Sequence, residues 1–404
     1  MIEWSETHLA IRDMFRRFVE AEIKPNLVEL EHGSTPPYDI LRKMFETFGL
    51  REMAKANFEK QLAREKPSAQ SPDDDAETRG EDMGMRLIPI IELSRYCPGM
   101  VTALGVSVGL TAGTIMRRGT LEQKKRWALD LLTLDKIGAW AITEPSSGSD
   151  AFGSMKASAR RVDGGYRLNG NKTFTTNGPY ADTIVFICKL DEGNDARDRK
   201  VLSFVLDKGT SGLTQSQPLL KMGLHSSPTG ELFLEDVFVE NDRLLGESEA
   251  VEYRSGAKET FTAERTGVAA MALGIVEQCL KLSVDYAKTR VQFGRPIGEF
   301  QLIQLKLAKM EVARTNIQNI VFRLIGLAKA GKNMNLAEAS ACKLYCAQAA
   351  MEVALEAVQL FGGNGYMAEY QVEQLARDAK VLQIYGGTDE IQISQIARSL
   401  LADS

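Results

Sequence analysis

Residues 182–190 read DTIVFICKL and residues 201–209 read VLSFVLDKG, two short runs rich in β-branched and aromatic side chains. Bounded by turn formers, such runs are strand text. The same pattern extends outward through GAWAITE (138–144), RLNGNKTFTTNG (167–178) and GELFLEDVFV (230–239), with a turn at the Asp-Gly-Gly of RVDGGYRL (161–168). The middle third, 138–245, therefore reads as a compact β domain.

On both sides of it the periodicity is helical. Upstream, Leu9, Met14, Phe15, Phe18, Val19 and Ile23 recur at three- and four-residue intervals until Pro25 interrupts them, and helical text resumes from about Leu87 to Leu134. Downstream, Val268, Met271, Ala272, Ile275, Cys279, Leu282 and Tyr286 mark one helix face, and Leu344, Ala347, Met351, Leu355 and Val358 mark another. The order is helices (1–137), β domain (138–245), helices (246–404), a mostly helical α+β chain. Between Asn57 and Asp82 the text NFEKQLAREKPSAQSPDDDAETRGED is polar with a Pro-containing centre, which predicts a loop over 57–82.

The 404 residues, 44% hydrophobic and 25% charged, suit two or three packed units. A net charge of −5 argues against a nucleic-acid surface and leaves room for a local basic pocket. Five scattered cysteines and no secretory pattern at the start point to a reducing, cytoplasmic compartment. Cys342 and Cys346 have a helical spacing, but with three histidines remote in sequence they read as packing, so no metal site is expected. The uncharged run MVTALGVSVGLTAGTIM (100–116) falls short of the ~20 residues a bilayer requires, so it reads as a buried helix and no membrane span is expected. Neither GxGxxG nor GxxxxGK[ST] occurs, so any dinucleotide is held in another way.

Four separated segments carry denser chemistry: ITEPSSGSD (142–150), YAKTRVQFGRPIGEFQ (286–301), QLFGGNGY (359–366) and RDAKVLQIYGGTDEIQ (377–392). Singly, they read as a Ser/Gly turn leaving a strand, a helix end with a surface arginine, and glycine caps. Together, in this order and spacing, they resemble the acyl-CoA dehydrogenase family from about residue 87 onward, the first helices matching more loosely.

The resemblance implies a helical N-terminal domain, a central β-barrel-like domain and a C-terminal four-helix bundle, with FAD between the last two. It also implies a homotetramer, a dimer of dimers, in which a neighbouring subunit completes the FAD site, and electron-transfer flavoprotein as the electron acceptor. By the same resemblance Ile142 and Thr143 lie at the flavin ring, and Ser149 lies near the FAD pyrophosphate and the thioester. Phe174 and Thr176 replace a family Trp-x-Thr that packs on the flavin. Arg290, Phe293 and Gln301 reach the FAD of the adjacent subunit, and a guanidinium suits phosphate oxygens. Gln359, Gly362 and Gly363 let backbone amides approach the adenosine diphosphate, while Thr388 and Glu390 face FAD. Phe261, Thr262, Arg265, Gly386 and Gly387 belong to the acyl-CoA side.

The reaction implied removes a proton next to a thioester carbonyl and passes a hydride from the following carbon to flavin N5, giving the trans-2-enoyl-CoA. In much of the family the base stands at the position of Gly386, which has no side chain. Members resembling isovaleryl-CoA and long-chain dehydrogenases carry it in a Glu-Arg pair ahead of the bundle, here Glu264-Arg265 in FTAERTGVAAMALG (261–274). Glu264 is thus the expected base, with Asp389 and Glu390 as the nearest alternatives. Acyl chain length stays open, as does CoA against a carrier protein as the thioester's bearer. A noncatalytic subunit that completes a partner's FAD site is the competing class.

Overall fold

The computed structural model describes residues 3–64, 76–195, 197–250 and 253–402. The chain opens with α1 (Glu6–Phe18), α2 (Leu27–His32), α3 (Tyr38–Thr47), α4 (Leu50–Arg64), α5 (Ala76–Ser94) and α6 (Pro98–Leu104). Wider helical turns continue it into α7 (Gly113–Arg118), α8 (Leu121–Gln123) and α9 (Leu129–Leu132). Ser5 caps α1 by accepting from the His8 N–H, and Phe15, Phe18, Val19 and Ile23 are buried as the periodicity predicts. Met14, expected on the same stripe, is 45% exposed.

The segment 57–82 departs from expectation. Residues 57–64 lie in α4 and residues 76–82 in α5, while 65–75 fall outside the described residues. Phe58 supplies the reason for the first extension. It is buried in the same apolar cluster as Ile115 and Trp127, with Leu62 packed against that cluster and Leu50 against the main core, so the charged helix is held down along one side.

Seven strands follow: β1 (Gly138–Ala141), β2 (Ser158–Val162), β3 (Gly165–Thr176), β4 (Thr183–Leu190), β5 (Val201–Asp207), β6 (Leu213–Gln215) and β7 (Thr229–Glu240). They form one curled sheet in the order β1-β4-β2-β3-β7-β6, with β5 on β4. The β1–β4 and β2–β4 pairs are parallel and the others antiparallel. Every residue of β4 is buried, as an uninterrupted apolar run between neighbours requires. The Asp163-Gly164 turn joins β2 to β3, with Gly164 at φ +77°. The short β2 and β6 carry too little apolar text to have been anticipated.

Helices then return as α10 (Tyr253–Thr289), α11 (Gln301–Lys329), α12 (Leu336–Phe361), α13 (Gln371–Val381) and α14 (Asp389–Ala402), with a small hairpin of β8 (Val291–Gln292) and β9 (Arg295–Pro296) between the first two. The early helices and the late helices share one core, in which Phe15 and Leu41 join Ile275, Ile317 and Ala350. The face of α10 is as expected, with Val268, Met271, Ala272, Ile275 and Cys279 buried. On α12 the buried stripe is rotated from the expected one: Lys343, Cys346, Ala347, Ala350, Val353, Ala354, Ala357 and Leu360 face inward, and Leu355 is 51% exposed. Small alanines let α12 approach α10 closely, and that packing, more than side-chain size, chose the face.

By length and composition two stretches could cross a membrane, Pro98–Arg118 and Glu264–Thr289. Half of the first and two thirds of the second are buried inside the fold, the burial of core helices.

Candidate active site

The site is assembled around a glycine turn. Between α13 and α14 the chain passes through Gly386 at φ +62° and Gly387 at φ +91°, conformations that a side chain would strain. Both carbonyls of the pair are held from inside the fold. Gln392 Nε2 donates to Gly386 O at 3.1 Å and to Gly387 O at 2.7 Å, Lys343 Nζ donates to Gly387 O at 2.9 Å, and Arg265 Nε reaches Gly386 O at 3.4 Å. Arg265 is braced in turn by Ser340, whose Oγ accepts from its Nη1 at 3.0 Å. The N–H groups of Gly386, Gly387 and Thr388 have no acceptor among the described residues.

Glu264 faces this turn from α10. A Cβ added to Gly386 would meet Glu264 Cδ at 3.4 Å and Oε1 at 3.5 Å, so the carboxyl group occupies the space in front of the missing side chain. Glu264 is only partly exposed, and desolvation pushes its pKa up, opposed by the positive charges of Arg265 and Lys343. The two alternative carboxylates sit differently. Asp389 accepts from Gln348 and Gln383 at 3.2 Å each and lies 3.7 Å from Lys343. Glu390 is exposed at the start of α14, and hydrogen bonds from its own N–H and from Thr388 hold its pKa below the ordinary value. Neither is directed at Gly386 as Glu264 is. The side chains of Phe261 and Thr262 lie outside the described residues.

A second group lies on the sheet. Thr143 follows β1, and its carbonyl accepts from the Thr173 N–H at 2.9 Å, tying the 142–150 loop to β3. In β3 the pairing slips between Lys172 and Thr175, and Phe174 stands in that bulge at φ +52° with 69% of its surface exposed. Thr176 is partly buried, Ile142 buried and Ser149 exposed. Glu144, within the same loop motif, was not singled out from sequence. Its carboxylate accepts from the N–H of Lys156 at 2.7 Å, from that of Ala157 at 2.9 Å and from Lys172 Nζ at 2.9 Å, and so shapes the whole loop.

The sheet is tied to the N-terminal helices through Asn177, which follows Thr176. Its Nδ2 donates to Ala103 O and Gly138 O at 2.9 Å each, and its Oδ1 accepts from the Tyr38 hydroxyl at 3.0 Å. Tyr385, the residue before the glycine pair, directs its hydroxyl at Met271 Sδ on α10, 3.2 Å away.

A third group gathers where α10 and α12 end. Tyr286 stacks on Phe361 with ring centroids 4.1 Å apart, and its hydroxyl accepts from Asn364 Nδ2 at 3.0 Å. This pair brings the Arg290–Phe293–Gln301 set beside Gln359, Gly362 and Gly363, all of them exposed. Phe293 is 94% exposed, and the Arg290 guanidinium has no partner among the described residues. Space is open where side chains on Gly362 and Gly363 would stand.

The chain matches three domain models in order: acyl-CoA dehydrogenase N-terminal domain over 73–135, middle domain over 139–237 and C-terminal domain over 255–401. It belongs to the acyl-CoA dehydrogenase family. A short-chain-specific acyl-CoA dehydrogenase of Megasphaera elsdenii is 38% identical over 80% of this chain and 83% of its own. The mitochondrial isovaleryl-CoA dehydrogenase of Oryza sativa is 33% identical over 99% and 92%. Among solved structures, butyryl-CoA dehydrogenase from Megasphaera elsdenii superposes with a TM-score of 0.83 at 33% identity, covering 99% of this chain and all of that one. A glutaryl-CoA dehydrogenase from Mycobacterium smegmatis in complex with FADH2 superposes at 0.85 with 26% identity, covering 99% and 95%.

This family member is accordingly an FAD-dependent oxidoreductase of acyl-CoA thioesters. Its residues fit the cofactor. An exposed aromatic face held in a strained conformation at Phe174, the Arg290 guanidinium with no partner among the described residues and two open glycines at 362–363 are what a flat ring system and a pyrophosphate need.

Proposed function

We propose that this acyl-CoA dehydrogenase family member oxidises an acyl-CoA thioester between its α and β carbons to the trans-2-enoyl-CoA, with Glu264 removing the α-proton. The observation that carries the reading is the reciprocal fit of Glu264 and Gly386, a carboxyl group 3.4 Å from the point where the family's other glutamate would begin. FAD, when bound, would supply the two-electron acceptor for the β-hydrogen as hydride. Ile142, Thr143, Phe174 and Thr176 would hold its ring system, together with Thr388 and Glu390. Ser149 would serve pyrophosphate and thioester together. Arg290, Phe293, Gln301, Gln359, Gly362 and Gly363 would hold the adenosine diphosphate part across a subunit boundary of a homotetramer.

Burial suits Glu264 to its task. A carboxylate with a raised pKa is a stronger base, and partial removal from water strengthens its attraction for the α-proton. As that proton leaves, negative charge grows on the thioester oxygen, and the unengaged Gly386 N–H is a fixed donor for it. Arg265 keeps the turn in place through Gly386 O, and the proton stays on Glu264. Electron-transfer flavoprotein is the proposed acceptor of the electrons, and a reducing cytoplasmic compartment accords with five free thiols.

The test is stopped-flow flavin reduction by Glu264→Gln with an acyl-CoA that bleaches the wild type. Loss of a positioned base slows the step by about 10²–10⁴-fold with FAD and acyl-CoA binding retained. A rate within a fewfold of wild type would move the assignment to another carboxylate.

A further inference from the structure

Lys343 is among the largest side chains withdrawn completely from water in this protein. It projects from the first third of α12 into the space beneath the glycine turn, where its ammonium donates to Gly387 O at 2.9 Å and lies 3.7 Å from Asp389 Oδ1. Burying an ammonium costs several kcal/mol unless the surroundings compensate. Anchoring the turn does not account for it. Gln392, a neutral amide, already donates to both glycine carbonyls, and its bond to Gly387 O is the shorter of the two at 2.7 Å. What the lysine adds at this place is charge.

The charged groups around it are few: Asp389 at the head of α14, and Glu264 and Arg265 on α10. Asp389 is the nearer counter-charge: its Oδ1 faces the ammonium, while its Oδ2 accepts from Gln348 and Gln383, and Glu264 is the more distant carboxylate that the same ammonium also favours. Glu264 has no hydrogen-bond donor among the described residues, so fixed positive charges behind the turn are what favours its carboxylate form against desolvation. Arg265 supplies one such charge and is engaged with Ser340 and Gly386 O.

We propose that Lys343 is a positioning residue for the dehydrogenation: its buried ammonium, set under the Gly386–Gly387 turn, is the second positive charge that holds Glu264 as a carboxylate facing the substrate. This rests on the reading of Glu264 as the base. Lys343 touches none of the reacting atoms and acts only through its field. Neutralising it leaves Glu264 more readily protonated, so proton abstraction weakens near neutral pH and returns as the pH rises. Cofactor retention and acyl-CoA affinity are not its business.

The experiment compares Lys343→Met, Lys343→Gln and Lys343→Arg with wild type and Glu264→Gln in the FAD-loaded enzyme, using the acyl-CoA that bleaches the wild-type flavin fastest. Flavin reduction is followed from about pH 6 to 10, together with exchange of the substrate's α-hydrogen into D2O, read by mass spectrometry. The neutral variants should reduce flavin and exchange the α-hydrogen about tenfold or more slowly at pH 7, one pK unit being a factor of ten. Their acid limb should be displaced to higher pH, with KM changed by no more than about threefold, and the arginine should restore the wild-type limb. An unmoved limb in the methionine and glutamine variants overturns the proposal. So does a loss that is equal at every pH and not rescued by arginine, or a failure of the neutral variants to fold while arginine folds, since either assigns the lysine to structure alone. Glu264→Gln separates the two ideas: wild-type rates there reject the base itself, whereas an inactive Glu264→Gln beside unmoved Lys343 profiles rejects only the lysine's part.

Discussion

Lys172 donates to Glu144 Oε1 at 2.9 Å, and neither side chain has more than 4% of its surface in water. The pair lies inside the loop that follows β1, and Lys172 also donates to Ile142 O at 2.9 Å, so one ammonium fixes both the loop and the bulged strand that bears Phe174. Removing only the lysine leaves a buried carboxylate with two backbone donors and no counter-charge.

Lys172→Met is expected to lower stability by about 3–5 kcal/mol, the usual consequence of breaking a buried pair from one side. Lys172→Met with Glu144→Gln should cost less than the sum of the single changes, because the orphaned charge is gone. Urea denaturation of the four proteins provides the cycle. Additive losses would mean that the two side chains do not act as a pair.

Glu31 makes stability depend on pH. Burial and the neighbouring Asp378 raise its pKa from 4.5 to about 8, while Arg377 and Lys221 oppose the shift. The folded protein therefore binds this proton more tightly than the unfolded chain does. Its contribution is fully present below about pH 4.5 and is lost as the pH climbs through 8. Glu31→Gln should flatten the decline in denaturation midpoint between pH 5 and 8 relative to wild type. Parallel midpoint curves for the two proteins would show that Glu31 titrates no differently when folded. Lys221, whose pKa burial lowers to about 8, acts in the window above that and does not mask the effect.

Moving the base back to the turn needs room as well as a carboxylate. With the side chain at 264 still long, a Cβ at position 386 already meets its carboxyl carbon at 3.4 Å and must adopt φ +62°. Gly386→Glu in a Glu264→Gln background is thus expected to recover little flavin reduction, and Gly386→Glu with Glu264→Gly to recover at least about tenfold more, less whatever the strained backbone takes, of order 1–3 kcal/mol. Equal rates in the two double variants would mean that crowding between the two positions is not what limits the swap.

The strand text around β4, the glycine-turn motif and the Glu264-Arg265 pair could all be read before any coordinates, because each depends on local pattern or on a motif. Lys343 could not, since a lysine on a helix ordinarily points to water and its partners, Gly387 O and Asp389, lie more than forty positions further along the chain. The close packing of α12 on α10 rotated the α12 face toward alanines, which apolar periodicity weighs lightly. Glu144 stood within a quoted motif and passed for part of a polar turn, because its three donors come from residues 12 to 28 positions further along. In α4, buried Phe58 with Leu62 beside it outweighed a charged text that suggests a loop.

Asn177 has a mechanical consequence. Its one amide group joins Tyr38 of α3, Ala103 of α6 and Gly138 of β1, so the seam between helices and sheet, already filled by the apolar cluster that Ile115, Trp127 and Leu131 share with the strands, is also riveted by three hydrogen bonds. An apolar surface alone can slide with little loss. Shear along this seam would break all three bonds together, and Phe174 on its strand lies only three residues from the rivet.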